Sequence, residues 1–254
     1  MQNSFSGQVA IVTGAGQGIG YEIAYELAIH GCAVLLNDID ETLLSKAVEN
    51  IRQKQPLCIG VPGDSSDIQC IQQMVALSVK NFGAVTIAIA NAGITLFGDF
   101  LTYSPESFNR VLQVNLAGSF FLAQSAANQM KKQGSGGSIL FMSSVTAHQA
   151  HKQLAAYGMT KAALELLAKT LVIELAPFQI TVNTIAPGAT LTERTKKETE
   201  YENIWSGLTP TGRPASTSDI AHAALFMVSP LSKHITGQSL VVDGGWTAIS
   251  PSPF

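Results

Sequence analysis

Charge is scarce in this chain: Asp, Glu, Lys and Arg make up 13% of 254 residues and balance to −3. Set against 46% hydrophobic residues, that excludes a disordered chain and points to extensive burial, part of it between subunits. No basic excess exists to draw nucleic acid or an anionic membrane. Cysteine is scarce too. Cys32, Cys58 and Cys70 share no CxxC spacing, so they imply neither a metal site nor a disulfide framework and read as small buried residues of a reducing compartment. No apolar stretch approaches ~18 uninterrupted residues, and the opening Met-Gln-Asn-Ser-Phe-Ser-Gly-Gln lacks a basic segment followed by an apolar run. The expectation is a cytoplasmic protein without a membrane partner. Repeats and low-complexity tracts are absent, and an α/β unit of this length is expected to form one domain over 1–254.

What is present is alternation. Val9 to Val12 is a short apolar run that opens into Thr13-Gly-Ala-Gly-Gln-Gly-Ile-Gly20, after which Ile23, Leu27 and Ala28 follow at helical spacing. Strand, glycine turn and helix make a phosphate site, because glycines let backbone approach a ligand and a helix start offers unpaired N–H groups. The pattern departs from the Rossmann fingerprint GxGxxG, since Ile19 takes the place of its last glycine; Gly14, Gly18 and Gly20 form GxxxGxG instead. The next strand, Ala33 to Asn37, ends at Asp38, about where a carboxylate meets a ribose diol. That carboxylate repels a 2′-phosphate, and neither Gln17 nor Ile39 supplies a compensating cation, which favours NAD over NADP. The alternative is that Asp38, with Asp40 and Glu41, only starts the next helix. A helix over 41–53, a strand over 57–61 ending near Asp64 (suited to an adenine amino group), a helical stripe from Ile68 to Val79 and a strand over 85–90 running into Asn91-Ala-Gly93 continue the alternation. Near-continuous apolar strands alternating with helices predict a Rossmann-like, doubly wound parallel sheet of about seven strands, with helices on both faces.

The stretch from Gly137 to Leu175 carries the chemistry. A buried-type strand ends in two hydroxyls, Ser143 and Ser144, and a helix beginning near Tyr157 would put Tyr157 and Lys161 one turn apart on one face. A phenol titrates near ~10, so acid/base work at neutral pH needs a neighbouring positive charge, which Lys161 can supply. Asn115 lies in the middle of a long helix among apolar neighbours, so burial with a polar duty is expected. That helix and the one after Lys161 are apolar around too much of their circumference for one sheet to cover, which predicts packing against copies in a symmetric oligomer; a homotetramer is favoured, with a dimer left open. From Ala189 to Ser218 the composition turns to Thr, Glu, Lys, Gly and Pro with bulky Tyr201, Ile204, Trp205 and Leu208, which reads as a lid over a ligand or as an ordinary surface excursion. His148 and His151 read as solvated loop residues.

Taken in order, Thr13 to Gly20, Asn91-Ala-Gly93, Asn115, Ser144, Tyr157-Gly-Met-Thr-Lys161, Pro187-Gly188 with Thr192, and Asp243-Gly-Gly245 resemble the short-chain dehydrogenase/reductase family over essentially the whole chain. The resemblance implies a catalytic set of Asn115, Ser144, Tyr157 and Lys161. In it Ser144, with Ser143 as a possible confusion, bonds the substrate oxygen. Tyr157 exchanges the alcohol proton, Lys161 holds the nicotinamide ribose and, together with the cationic oxidised ring, lowers the phenol's pKa, and Asn115 seats a water that links Lys161 to solvent. It implies a dinucleotide held by Gly14, Gln17, Gly18, Ile19, Gly20, Asp38, Asp64, Asn91, Gly93, Pro187, Gly188 and Thr192 as well as Tyr157 and Lys161. Thr190 stands where the family often has an aliphatic residue. The expected activity is NAD-dependent hydride transfer to or from a secondary alcohol or ketone, with a polyol, sugar or hydroxy acid favoured by the mixed walls at 94–97, 145–154 and 192–208. The alternatives are an NADP-linked carbonyl reductase and a dinucleotide-sensing protein without turnover.

Overall fold

The computed structural model describes residues 4–250. Seven parallel strands form one sheet: β1 (Val9–Thr13), β2 (Ala33–Asp38), β3 (Cys58–Pro62), β4 (Ile87–Ala90), β5 (Gly137–Met142), β6 (Ile180–Pro187) and, last in the chain, Ser239–Val242, in spatial order β3-β2-β1-β4-β5-β6-last. Side chains alternate across the pleat, so Ala10 and Val12 enter one core while Ile11 enters the other, and Val34 and Leu36 divide from Leu35 in the same way. Helices α1 (Gly18–Ile29) and α2 (Glu41–Arg52) cover the first face, and α3 (Ile68–Phe82) the second. Full burial of a Leu, Ile or Phe contributes about 1.5–3 kcal/mol, and Phe141, Ile11, Leu35 and Leu36 are each fully buried. This is the expected doubly wound sheet.

The strand order reverses between β1 and β4, and a crevice outside the carboxyl ends of the strands at such a point is where ligands bind. The glycine turn leaves β1 there and Asn91 leaves β4 beside it. After β4 the chain forms α4 (Pro105–Val111), a wider π-type stretch over Leu112–Gly118, and α5 (Ser119–Gln133), one continuous helical rod with Asn115 at its wide turn. After β5 comes α6 (Ala155–Leu175), which begins two residues before Tyr157. On α6, Leu164 and Ala168 are buried against the sheet, whereas Leu166 is 66% and Ile173 83% exposed. Leu112, Leu116, Phe120 and Phe121 from the rod and Ala163, Leu166 and Leu167 from α6 line an apolar groove of about 770 Å³.

The segment expected as a lid holds more structure than its composition suggests. The two-residue strands β7 (Thr190–Leu191) and β8 (Ala215–Ser216) pair and close its base, with the Ala215 amide donating to Ala189 at 2.8 Å. Between them stands α7 (Tyr201–Leu208), and the chain resumes the sheet cover with α8 (Thr217–Val228), whose start is fixed by a reciprocal Ser216–Asp219 capping box. The last sheet strand is β9 (Ser239–Val242). Cys32, Cys58 and Cys70 are all buried free thiols, as expected.

Candidate active site

A continuous groove crosses the carboxyl edge of the sheet in two lobes. The first, of about 300 Å³, is lined by Gly14, Gln17, Asp38, Ile39, Asp64, Asn91, Gly93 and Arg110 among others. Gly14 and Gly18 have φ of +62° and +64°, a backbone that L side chains rarely adopt. Gly20 does not line the groove; a β-carbon there would sit 2.2 Å from the Gly14 carbonyl and 2.4 Å from Asn91 Nδ2, so its bare backbone lets α1 close on β1. Asn91 is the clamp at this crossing, donating to the carbonyls of Thr13 and Gly14, each at 3.0 Å. Gln17 gives α1 no side-chain cap, so the first-turn N–H groups are left for an anion in the groove. These features fit a dinucleotide diphosphate.

Asp38 is not the helix starter: Asp40 caps α2 by accepting from Thr42 and Leu43, while Asp38 accepts the Gly16 amide at 2.9 Å and the Asp40 amide at 3.0 Å. A β-carbon on Gly16 would lie 2.8 Å from Asp38 Oδ2. Asp64 lies in the lobe with three of its carboxylate's acceptor sites already used. One oxygen accepts the Ser66 amide and hydroxyl and the other accepts Arg110 at 2.9 Å. Burial alone would raise the Asp64 pKa, and the Ser66 and Arg110 contacts outweigh it and lower it.

The second lobe, of about 340 Å³, brings together Gln17, Gly18, Ile19, Asn91, Gly93, Ser144, Tyr157, Lys161, Pro187, Gly188 and Thr192. The ambiguity between the two serines is resolved by direction. Ser143 Oγ donates to the Lys161 carbonyl at 3.1 Å and to Glu165 at 2.8 Å, facing α6. Ser144 accepts the Thr146 amide and sits with Thr95 at the Tyr157 hydroxyl. Lys161 is buried, donates to the Met142 carbonyl at 2.6 Å, and holds its ammonium 5.5 Å from the centre of the Tyr157 ring. Burial pulls the Lys161 pKa down to about 8. Burial also pushes the Tyr157 phenol up, against the pull of Ser144, Thr95 and the Arg194 charge. In the chain by itself burial wins, and the phenol lies above its ordinary value.

Asn115 is fully buried behind this lobe, not in it. Its amide oxygen accepts the Ile94 amide at 2.8 Å, and its nitrogen donates to the Ile94 carbonyl at 2.9 Å and to Thr160 at 3.3 Å. Its polar duty is to latch the chain leaving β4 onto α6. Gly93 fits between them: a β-carbon there would be 3.3 Å from Asn115 Oδ1 and 3.4 Å from Lys161 Nζ.

Of the two histidines, His148 is exposed as expected and His151 is half-buried. His148 Nε2 is 2.9 Å from Glu165, the residue that also holds Ser143, so it ties the loop to α6. The His151 ring packs 5.1 Å from Trp246, its Nε2 has no partner among the described residues, and burial lowers its pKa. Trp246 in turn meets Trp205 of α7 at 5.3 Å, and Trp205 meets Tyr201 at 6.2 Å. Thr190, in place of an aliphatic residue, turns its hydroxyl onto the Gly188 carbonyl at 3.0 Å. Thr95, Glu193, Arg194 and Tyr201 also line the second lobe and Arg110 the first. Their segments were legible as walls, but no spacing in the sequence marks these side chains.

Comparison with known proteins agrees with this geometry. Residues 14–247 match the family described as Enoyl-(Acyl carrier protein) reductase. The chain is 35% identical to the L-rhamnose-1-dehydrogenase of Scheffersomyces stipitis, over 96% of this chain and 98% of that protein. It is 36% identical to the L-rhamnose 1-dehydrogenase (NAD(P)(+)) of a Sphingomonas species, over 94% and 96% respectively. It superposes on the 3-ketoacyl-(acyl-carrier-protein) reductase of Brucella melitensis, solved with NADH, at a TM-score of 0.89, with 31% identity over 95% of this chain and 99% of that one. A glycine turn, a serine, a tyrosine and a lysine joined in one groove, on a fold and sequence shared from end to end with these enzymes, make this chain a member of the short-chain dehydrogenase/reductase family of NAD(P)-dependent oxidoreductases.

Proposed function

We propose that the protein is an NAD-dependent dehydrogenase or ketone reductase that moves hydride to or from a secondary alcohol carbon of a polyol, sugar or hydroxy acid. The observation that carries the reading is the meeting of Ser144, Tyr157 and Lys161 at one end of a groove whose other end is the glycine turn and Asp38. Gly14, Gln17, Gly18 and Ile19 would hold the diphosphate, with Gly20 serving only to let α1 close on β1, Asp38 and Asp64 the adenosine end, and Asn91, Gly93, Pro187, Gly188 and Thr192 the other half. When bound, NAD supplies the hydride acceptor and a positive ring.

Tyr157 takes the alcohol proton as the carbon gives up hydride, and returns it in the reverse direction. Ser144 orients the substrate oxygen toward that phenol. Lys161 holds the nicotinamide ribose, with its ammonium aimed by the Met142 carbonyl. The groups that favour the Tyr157 phenolate against burial are Ser144, Thr95 and the Arg194 charge, to which the bound cofactor's positive ring would add. Asn115 is a positioning residue on this reading, since its side chain reaches Ile94 and Thr160. NAD is favoured over NADP because Asp38 faces the lobe, while the nearby cation, Arg110, is committed to Asp64. The mixed sugar and ketone names of the relatives support the substrate class.

The segment 189–218 serves as the lid, held closed by the Trp205–Trp246 contact. Two copies of the α4–α5 rod and α6 cover each other's apolar groove in a homotetramer. Leu166→Glu would then shift the particle to a smaller species by light scattering, and an unchanged mass would refute that face. Buried reduced thiols suit a cytoplasmic setting. Among the described residues, no helix is long and apolar enough to cross a membrane.

The deciding screen follows NAD reduction across polyols, sugars including L-rhamnose, hydroxy acids and secondary alcohols. Turnover of at least one class is expected. Silence across the whole panel, with NADH still bound, would favour a dinucleotide sensor without turnover.

A further inference from the structure

The chain has four arginines, and three are committed. Arg52 donates to the Cys58 carbonyl, Arg110 pairs with Asp64, and Arg213 pairs with Asp219. Arg194 has neither an ion pair nor a hydrogen bond from its guanidinium among the described residues, and it is the one that lines the lobe holding Tyr157.

Its position is built. The turn that carries it is knotted by hydroxyls: Thr195 Oγ1 donates to the Thr190 carbonyl at 2.9 Å and accepts the Thr192 amide at 2.8 Å, with Thr195 buried. Neighbouring Glu193 and Arg194 point to different ends of the lobe. Glu193 Oε2 lies 3.7 Å from where a β-carbon on Gly18 would be, at the cofactor end. Arg194 lies toward Tyr157 and Tyr201, near enough for its charge to favour ionisation of both phenols. Arg194 is exposed and unpaired among the described residues, so its guanidinium is open to an anion that enters the lobe it lines.

We propose that Arg194 is a specificity residue that receives a carboxylate on the substrate, so that the preferred substrate is a hydroxy acid or its oxo acid. This rests on the hydride-transfer reading above and narrows its substrate class. A carboxylate fits better than a phosphoryl group. A dianion calls for more than one cation, Lys161 is committed to the Met142 carbonyl and, on the reading above, to the nicotinamide ribose, and Glu193 in the same lobe would oppose a second negative charge.

The test uses three pairs that differ only in CO₂⁻ against CH₂OH: L-lactate and 1,2-propanediol, 3-hydroxybutyrate and 1,3-butanediol, D-gluconate and D-glucitol. Initial rates of NAD reduction are compared for wild type, Arg194→Gln and Arg194→Lys. In the pair turned over best, wild type should favour the acid in kcat/KM. Arg194→Gln should shrink that acid-to-alcohol ratio about 10- to 100-fold, mainly through the acid's KM, the usual worth of a charged hydrogen bond. Arg194→Lys should restore part of it. Whatever Arg194 contributes to ionising Tyr157 acts on both members of a pair, so the ratio isolates the carboxylate contact.

Preference for the neutral members or for L-rhamnose, with a ratio untouched by Arg194→Gln, would overturn the proposal while leaving hydride transfer standing. A rise in KM for NAD in place of the acid would overturn it too, by assigning Arg194 to the diphosphate. If no alcohol or ketone is turned over, the hydride-transfer reading fails, and Tm shifts by the same six compounds with NAD present decide Arg194 on their own: stabilisation of wild type but not of Arg194→Gln by the acids supports the carboxylate subsite, and equal shifts refute it.

Discussion

Asp38→Asn separates the two dinucleotides with little disturbance of the fold. The amide oxygen can still accept the Gly16 N–H that now bonds Asp38 at 2.9 Å, so the glycine turn keeps its anchor. What disappears is the charge. A carboxylate accepting ribose hydroxyls contributes about 1.5–3 kcal/mol to NAD binding. Toward a 2′-phosphate about 5 Å away, at an effective dielectric near 20, the same charge repels by about 3 kcal/mol per unit of phosphate charge. Together the variant shifts the NAD-to-NADP preference by about 4–6 kcal/mol, on the order of 10³–10⁴ in kcat/KM. The lobe is open to water and salt, which sets a practical floor of about a hundredfold. The assay is the initial rate with each dinucleotide at 0.15 M ionic strength. A wild type that already prefers NADP, or a ratio that moves less than about fivefold, would refute the assignment of Asp38 to the ribose.

The two serines make a matched pair. Ser144→Ala should lower kcat about 100-fold or more with stability nearly unchanged, whereas Ser143→Ala should leave most of kcat but cost about 1.5–3 kcal/mol in urea unfolding, the usual worth of a hydrogen bond to a charged group, with Glu165 keeping its His148 contact. Reversed effects would restore Ser143 as the substrate contact. Lys161 predicts a pH signature. Its folded pKa of about 8 lies below the 10.5 of the unfolded side chain, so the unfolded chain binds more protons between those values and stability rises with pH across that window. Relative to Lys161→Met, which cancels the tyrosine and cysteine titrations, wild type should gain about 2 kcal/mol between pH 7 and 9.5 by linkage. A flat difference would mean that the ammonium is hydrated.

The parts of this molecule legible in the sequence are those fixed by local spacing. Strand, glycine turn and helix around Gly14 to Gly20, the one-turn separation of Tyr157 and Lys161, and the apolar strands of a doubly wound sheet all follow from residues within a turn of each other. The choice between Ser143 and Ser144 was not local. It depends on Glu165, which comes back to the strand end only because α6 packs on β5 and β6. Asp64 and Arg110 are 46 residues apart in sequence, and nothing at either position announces the other. His148 is exposed, as a polar loop suggests, but its Glu165 partner and the half-buried His151's Trp246 partner are both supplied by tertiary packing that the sequence does not show. The phenol's pKa turned on magnitude. A neighbouring lysine was visible in the sequence, but the depth of burial that outweighs it was not. Asn115 was expected to be buried with a duty, and the duty proved to be the Ile94 peptide, reached through the wide turn of the rod.

Everything turns on Tyr157 as the group that exchanges the substrate's proton. Tyr157→Phe keeps the ring and its packing and removes one oxygen. With an alcohol that wild type oxidises, measured as NADH formed at saturating NAD, the variant should lose at least about a thousandfold in rate while still binding NADH, since the Ser144 and Thr95 hydroxyls beside that position are aliphatic alcohols, too weakly acidic to stand in for a phenol. A variant that keeps most of its activity would contradict the account, because proton transfer would then run through some other group.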